Sequence, residues 1–170
     1  MKIPVLTGVI RKILYTWIIK SFFNKGTILD VAAGEGEFMD VCKLLNKKVS
    51  GIDINPQRKE IIKYDITKKG FVKKYKKFGN LFCSQIIEHF NNDELISFIN
   101  EVCKKRVAII TPIENKKFWY RKGVPEYKTK YGHKRPYSLM ELDYKMKKIN
   151  LKPIFRFKGF GNIIWIGQKV

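Results

Sequence analysis

Acidic residues are scarce in this chain of 170 residues: 15 Asp and Glu stand against 35 Lys and Arg, for a formal net charge of +20. The shortage calls for a polyanionic partner or surface, and it leaves nucleic acid and an anionic membrane both open. Cysteine is nearly absent as well. Cys42, Cys83 and Cys103 are odd in number, show no C-x-x-C spacing and each sits in an apolar-rich segment, which argues against a disulfide framework and for reduced thiols in a core. No uncharged run is long enough to span a bilayer, and no stretch combines the features of a secretory leader with a small-residue cleavage site, so a cytoplasmic protein is expected. Neither an internal repeat nor a low-complexity linker is evident. Only two histidines, His89 and His133, are available for acid-base or metal chemistry.

What is present is enough for one well-buried domain over residues 1–170: 45% of residues are hydrophobic and 14% aromatic, which also argues against disorder. The chain is organised around TILDVAAGEGEF, residues 27–38. Apolar and β-branched residues run into Asp30 and a small-residue loop, and helical spacing begins at Glu37, which reads as buried strand, tight turn and helix. A dinucleotide site would need G-x-G-x-x-G. Here Gly34 and Gly36 fill the first two places, Met39 stands at the third, and Asp30 and Glu35 would face the phosphates. The fit is poor.

The same loop resembles the first motif of the class I S-adenosylmethionine (SAM) dependent methyltransferases, with Ile28, Leu29, Asp30, Gly34 and Gly36 matching and Ala32 where that family usually has its first glycine. An acid-lined turn suits a ligand that carries a sulfonium and an ammonium. Alanine at 32 is expected to sit in ordinary backbone space. Asp53 ends a second strand about 20 residues beyond the loop, where α/β nucleotide sites place the acid that takes the ribose hydroxyls. By resemblance Asp53 and Ile54 hold the ribose side, Asp65 and Ile66 the adenine, and Gln85 completes the cofactor set with Asp30, Ala32, Gly34 and Gly36. A solvated surface acid is the alternative for Asp65.

The rest of the chain falls into order. Residues 9–24 read as a basic amphipathic helix, within an N-terminal segment 1–25, that either covers the sheet or lies on a membrane through Trp17, Phe22 and Phe23. A helix over 37–45, a strand over 48–54, a short helix opened by Asn55-Pro56 and a strand over 61–67 follow, then a lysine-rich surface helix over 68–77. NLFCSQIIEHF, residues 80–90, reads as a fourth strand running into Glu88-His89, with Asn91 or Asn92 capping a helix over 93–104. Strand 106–111 precedes residues 113–137, where no period survives. Ser138 and Glu141 then form a capping box, and residues 151–158 and 162–168 a closing hairpin. This is an α/β pattern. The resemblance implies a single Rossmann-like, doubly wound, seven-stranded sheet with an antiparallel last strand and helices on both faces.

In that reading the enzyme transfers a methyl group from SAM, with Glu88, His89 and His133 as the catalytic candidates. The small-RNA 2′-O-methyltransferases pair such residues with a divalent metal, but Gln85 stands here in place of a carboxylate ligand, so no metal is expected. The basic-aromatic segment 113–137 supplies Trp119, Tyr120, Arg121, Tyr131, Lys134 and Arg135, a mixture suited to stacking on bases and neutralising phosphates. The favoured acceptor is RNA or another nucleic acid. The alternatives are a small-molecule, quinone-like or lipid-like acceptor at a membrane reached through the N-terminal helix, and a non-catalytic basic nucleic-acid-binding module on the same fold. The oligomeric state is not written in the sequence.

Overall fold

Why the sheet sits where it does is visible in its central strands, which are apolar on both faces and so must be covered on both. The computed structural model describes residues 8–75, 77–90, 93–113 and 136–170. In chain order these hold α1 (Gly8–Phe22), β1 (Ile28–Val31), α2 (Glu37–Leu44), β2 (Val49–Asp53), β3 (Ile61–Lys63), α3 (Phe71–Tyr75), β4 (Phe78–Ser84), α4 (Glu94–Val102), β5 (Cys103–Pro112), α5 (Leu139–Lys147), β6 (Leu151–Gly159) and β7 (Asn162–Lys169). A single 3-10 turn, Ile87–His89, follows β4. The strands form one sheet in the order β3-β2-β1-β4-β5-β7-β6. Strands β1 to β5 run parallel, and β7 lies antiparallel to both β5 and β6. This is the seven-stranded, doubly wound arrangement with a reversed last strand that the sequence implied.

Alternation along the strands divides the core. Ile28, Phe82, Ala108, Ile110, Ile164 and Ile166 pack under α1 and α2, whereas Leu29, Val31, Leu81, Val107, Ile109 and Trp165 pack under α3, α4 and α5. Phe38 of α2 stacks on Phe82 at 3.7 Å between ring centroids, and Tyr15 of α1 meets both rings edge-on. Gly51 lets α2 come this close to β2, because a Cβ there would lie 2.4 Å from the Met39 sulfur. Arg106 closes the far end of α1, its Nη1 donating to the Phe22 carbonyl at 2.6 Å.

Four local expectations are corrected. Residues 54–60 contain no helix after Asn55-Pro56: the Asn55 N–H donates to Asp53 Oδ1, and Arg58 is drawn across to Asp40 of α2 by two hydrogen bonds of 2.7 and 2.8 Å. Strand β3 stops at Lys63 rather than Thr67, since the Asp65 carboxylate accepts from both the N–H and the hydroxyl of Thr67 and turns the chain. Helix α3 is less a surface element than expected, because Phe71 is fully buried against Tyr64, Phe78 and Phe98. Helix α4 has Asp93 at its N-cap without a side-chain cap bond and ends at Val102, where Cys103 goes straight into β5; Asn91 and Asn92 lie outside the described residues. By contrast, Ser138 caps α5 as the sequence indicated, its hydroxyl accepting from the Glu141 N–H at 3.1 Å.

Candidate active site

The chain leaves β1 for β2 on one side of the sheet and, later, crosses to β4 on the other, so the strand order reverses between β1 and β4. Open α/β sheets form their binding crevice at the carboxyl ends of the strands at such a point. The loop there is built by left-handed backbone: Ala32, Gly34 and Gly36 have φ of 60°, 51° and 75°. Ala32 is therefore not in ordinary backbone space, contrary to the sequence expectation, and holding a Cβ residue there costs about 1–2 kcal/mol. The strain is held by neighbours on both sides. Ala33 N–H donates to the Ile52 carbonyl at 3.0 Å, and Gly36 N–H to the Ala33 carbonyl at 2.7 Å. At Gly34 a Cβ would meet nothing within 4 Å, so the loop presents bare backbone to open space.

Asp53, at the end of β2, ties this loop down. One carboxylate oxygen accepts from the Gly34 N–H at 2.9 Å and the other from the Asn55 N–H at 2.8 Å. Each oxygen retains a further acceptor direction. Ile54 beside it is 66% exposed, an apolar side chain left in water at the rim. Asp30, inside β1, is buried, and its carboxyl is pushed well above the usual carboxylate range by burial and by the nearby Asp53. Asp65 and Ile66 follow β3 half-buried; the Asp65 carboxyl, bonded to Thr67, is held below the usual range.

At the ends of β4 and β5 the chemistry changes. Gln85 turns the chain out of β4 with φ of 53°, and its amide nitrogen donates to Asn162 Oδ1 at 3.0 Å, linking β4 to the β6–β7 hairpin. Three residues on, Glu88 is completely buried. Its Oε2 accepts from the Thr111 hydroxyl at 3.0 Å while its Oε1 is buried without a hydrogen-bond partner, and burial raises its pKa from 4.5 to about 7. A carboxyl poised near neutrality can hold or release a proton at physiological pH. His89 lies half-buried in the same turn. Residues Ile113 and Tyr137 meet in a parallel bridge just past β5. His133, Trp119, Tyr120, Arg121, Tyr131, Lys134 and Arg135 lie outside the described residues. Among the described residues no three His, Cys, Asp or Glu are grouped to hold a metal.

Sequence reading missed the residues that α1 and the β2–β3 connection bring in. Tyr15 packs edge-on against Phe82 of β4 and Phe38 of α2, and its hydroxyl is pushed up to about 12 by burial and by Glu37. Arg11 pairs with Glu37 at 3.1 Å, which fixes the start of α1 beside the start of α2. No local signal marks Tyr15 as different from its apolar neighbours; only the sheet shows what it reaches.

No protein-family model and no curated protein sequence matches this chain. Solved structures do match it over nearly its full length. A SAM-dependent methyltransferase from Archaeoglobus fulgidus superposes with a TM-score of 0.72 at 15% identity, covering 96% of this chain and 95% of the other. The fold is that of the SAM-dependent methyltransferases. Magnesium protoporphyrin IX methyltransferase from Synechocystis gives a TM-score of 0.72 at 11% identity over 99% of this chain and 85% of its own. For 1,6-didemethyltoxoflavin-N1-methyltransferase from Burkholderia thailandensis the values are 0.71, 12%, 94% and 78%. On this methyltransferase fold the Ala32–Gly36 loop and Asp53 occupy the crevice at the strand-order reversal, and Glu88 stands at its far side on the neighbouring strand pair.

Proposed function

We propose that this chain binds S-adenosylmethionine in the crevice between the ends of β1, β2 and β4 and transfers its methyl group to an acceptor lying over β4 and β5. One observation carries the reading: the Asp53 carboxylate, bonded to the N–H of Gly34 and of Asn55, keeps further acceptor directions, which suit ribose hydroxyls, beside a loop of bare backbone. The residues fit the cofactor. Asp53 and Ile54 take the ribose side, Asp65 and Ile66 the adenine, and Gly34, Gly36 and the buried Asp30 the positively charged methionine end. SAM supplies a methyl group already activated by its sulfonium. What remains for the protein is to bring the acceptor into line, keep water out and, for an acidic acceptor atom, remove a proton. Glu88, whose buried carboxyl is shifted toward neutrality, is the first candidate for the last task, with His89 and His133 as further ones.

The acceptor is the finer part of the proposal. A nucleic-acid acceptor is supported by the net charge of +20 and by the basic-aromatic composition of residues 113–137. A small apolar acceptor is supported by the exposed aliphatic side chains of α1. The non-catalytic reading has less support, because a module that only binds polyanions has no use for acids at 30 and 53. Transfer of labelled methyl from SAM to total RNA, to DNA and to a lipid extract tests the reaction, and label in none of them, with SAM bound, would remove the catalytic part of it.

A further inference from the structure

Helix α1 carries apolar side chains on both sides. Its inner side, Tyr15, Ile18 and Ile19, is buried on the sheet. A helix covering a sheet normally turns charge to the water on its other side. Here Val9, Ile13 and Trp17, spaced by four residues, and Ile10 beside them are 69%, 65%, 37% and 47% exposed. Lys12 and Lys20 are exposed on the same side, so the outer side mixes aliphatic and basic residues as an interfacial helix does. Among the described residues no helix is long and apolar enough to cross a membrane.

The exposed strip continues onto the sheet edge. Trp17 rests on Phe155 of β6 at 4.9 Å between centroids, and Phe157, the next residue on that side of the strand, is 37% exposed. Phe160, in the turn into β7, is 75% exposed. The two strips lie side by side: α1 begins beside the start of α2 through the Arg11–Glu37 pair, and β6, parallel to β5, ends at that same end of the sheet, where the glycine loop opens. The charge around this strip is basic: Lys12 and Lys20 of α1 and Lys152 of β6 are exposed, whereas Arg11 is paired with Glu37 and Arg156 with Asp143 of α5, on the other side of the sheet.

We propose that the outer side of α1 and the β6–β7 hairpin dock this protein on an anionic lipid bilayer, with Val9, Ile10, Ile13, Trp17 and Phe160 entering the headgroup boundary and Lys12, Lys20 and Lys152 meeting lipid phosphates. Aliphatic side chains gain from the acyl boundary, and basic ones from the negative surface potential, so the two halves of the surface are satisfied by the same partner. A second copy of this chain would bring like charge against like charge. Nucleic acid would neutralise the lysines but leave the valine and isoleucines in water, since stacking on bases needs planar rings.

The test is co-sedimentation with vesicles of equimolar phosphatidylcholine and phosphatidylglycerol and with pure phosphatidylcholine, using the full chain and the variant Ile10→Ser/Ile13→Ser. Both side chains point to water, so circular dichroism should report an unchanged fold. Wild type is expected to sediment with the anionic vesicles only, and the variant to bind them at least tenfold more weakly while its binding to RNA stays the same. Calorimetric SAM titration of both proteins, expected to be equal, keeps this outcome separate from the fate of the cofactor site. Three results would overturn the proposal: no preference of the wild type for anionic vesicles, undiminished vesicle binding by the variant, or a wild-type dimer that the variant converts to monomer. A Ile10→Leu/Ile13→Leu control should bind vesicles like wild type, and its failure to do so would also count against a lipid surface.

Discussion

The turn after β1 and the turn after β4 both bend through left-handed residues at the carboxyl end of the sheet, yet they are held in different ways. The first is held by backbone, Ala33 N–H to the Ile52 carbonyl and Gly36 N–H to the Ala33 carbonyl, with a single side chain added, the Asp53 carboxylate accepting from the Gly34 N–H. The second has the same backbone tie, Gln85 N–H to the Ile110 carbonyl at 2.8 Å, and adds bonds between side chains far apart in the chain, Gln85 to Asn162 and Thr111 to Glu88. A backbone-made turn needs only small residues in the right places. A side-chain-made one depends on partners that the sequence does not put nearby. The first region is accordingly the one that fits a fixed cofactor, and the second is the one free to differ with the acceptor.

The largest effect that would sharpen this contrast is at Glu88. Its carboxyl titrates from 4.5 in the unfolded chain to about 7 in the fold, so its contribution to stability is full below about pH 4.5 and is lost as pH rises through about 7. Glu88→Gln keeps an oxygen for the Thr111 hydroxyl and has no charge to bury. Urea unfolding at pH 8 should show the variant more stable by up to about 3 kcal/mol, with the pH dependence between 5 and 7 reduced by the same amount. Equal stability at pH 8 would mean that Glu88 is not buried as a lone carboxyl.

A smaller effect concerns Asp30. Burial and Asp53 raise its pKa, and a cationic ligand beside it favours the ionised form, so SAM binding should release a proton. Affinity should then rise with pH, by up to about tenfold per unit, until Asp30 is ionised in the free protein as well. Asp30→Asn should flatten that dependence, which titrations in two buffers of different ionisation enthalpy would show directly. An unchanged slope in the variant would assign the proton elsewhere.

The smallest is at Ala32. Ala32→Gly relieves left-handed strain at φ of 60° without touching a hydrogen bond, and should raise stability by about 0.5–1 kcal/mol after the glycine entropy cost. Denaturant unfolding would resolve the change, and a loss of stability would show that the Cβ packs better than its backbone suggests.

These particulars also show what the sequence carried. The glycine loop and the order of strands and helices could be read because each is set by residues within a few positions of one another, and Asp53 because its spacing of about 20 residues from the loop is the one nucleotide-binding α/β units use. Strand β3 could not be delimited, since the Asp65–Thr67 turn competes with the strand and nothing in the apolar pattern announces it. The Asn55-Pro56 pair looked like a helix start, but the Asn55 N–H goes back to Asp53 and Arg58 leaves to Asp40. Glu88 was picked out without its partner Thr111, 23 residues away, and Tyr15 was missed because Phe82 lies in a strand that only the fold brings beside α1.

The most direct measurement is a calorimetric titration of the full chain with SAM, alongside Asp53→Ala. The account predicts a single site in the wild type and a loss of about 1–3 kcal/mol of binding free energy in the folded variant, the worth of hydrogen bonds to a charged acceptor. No binding by the wild type, or equal binding by a folded Asp53→Ala protein, would contradict it.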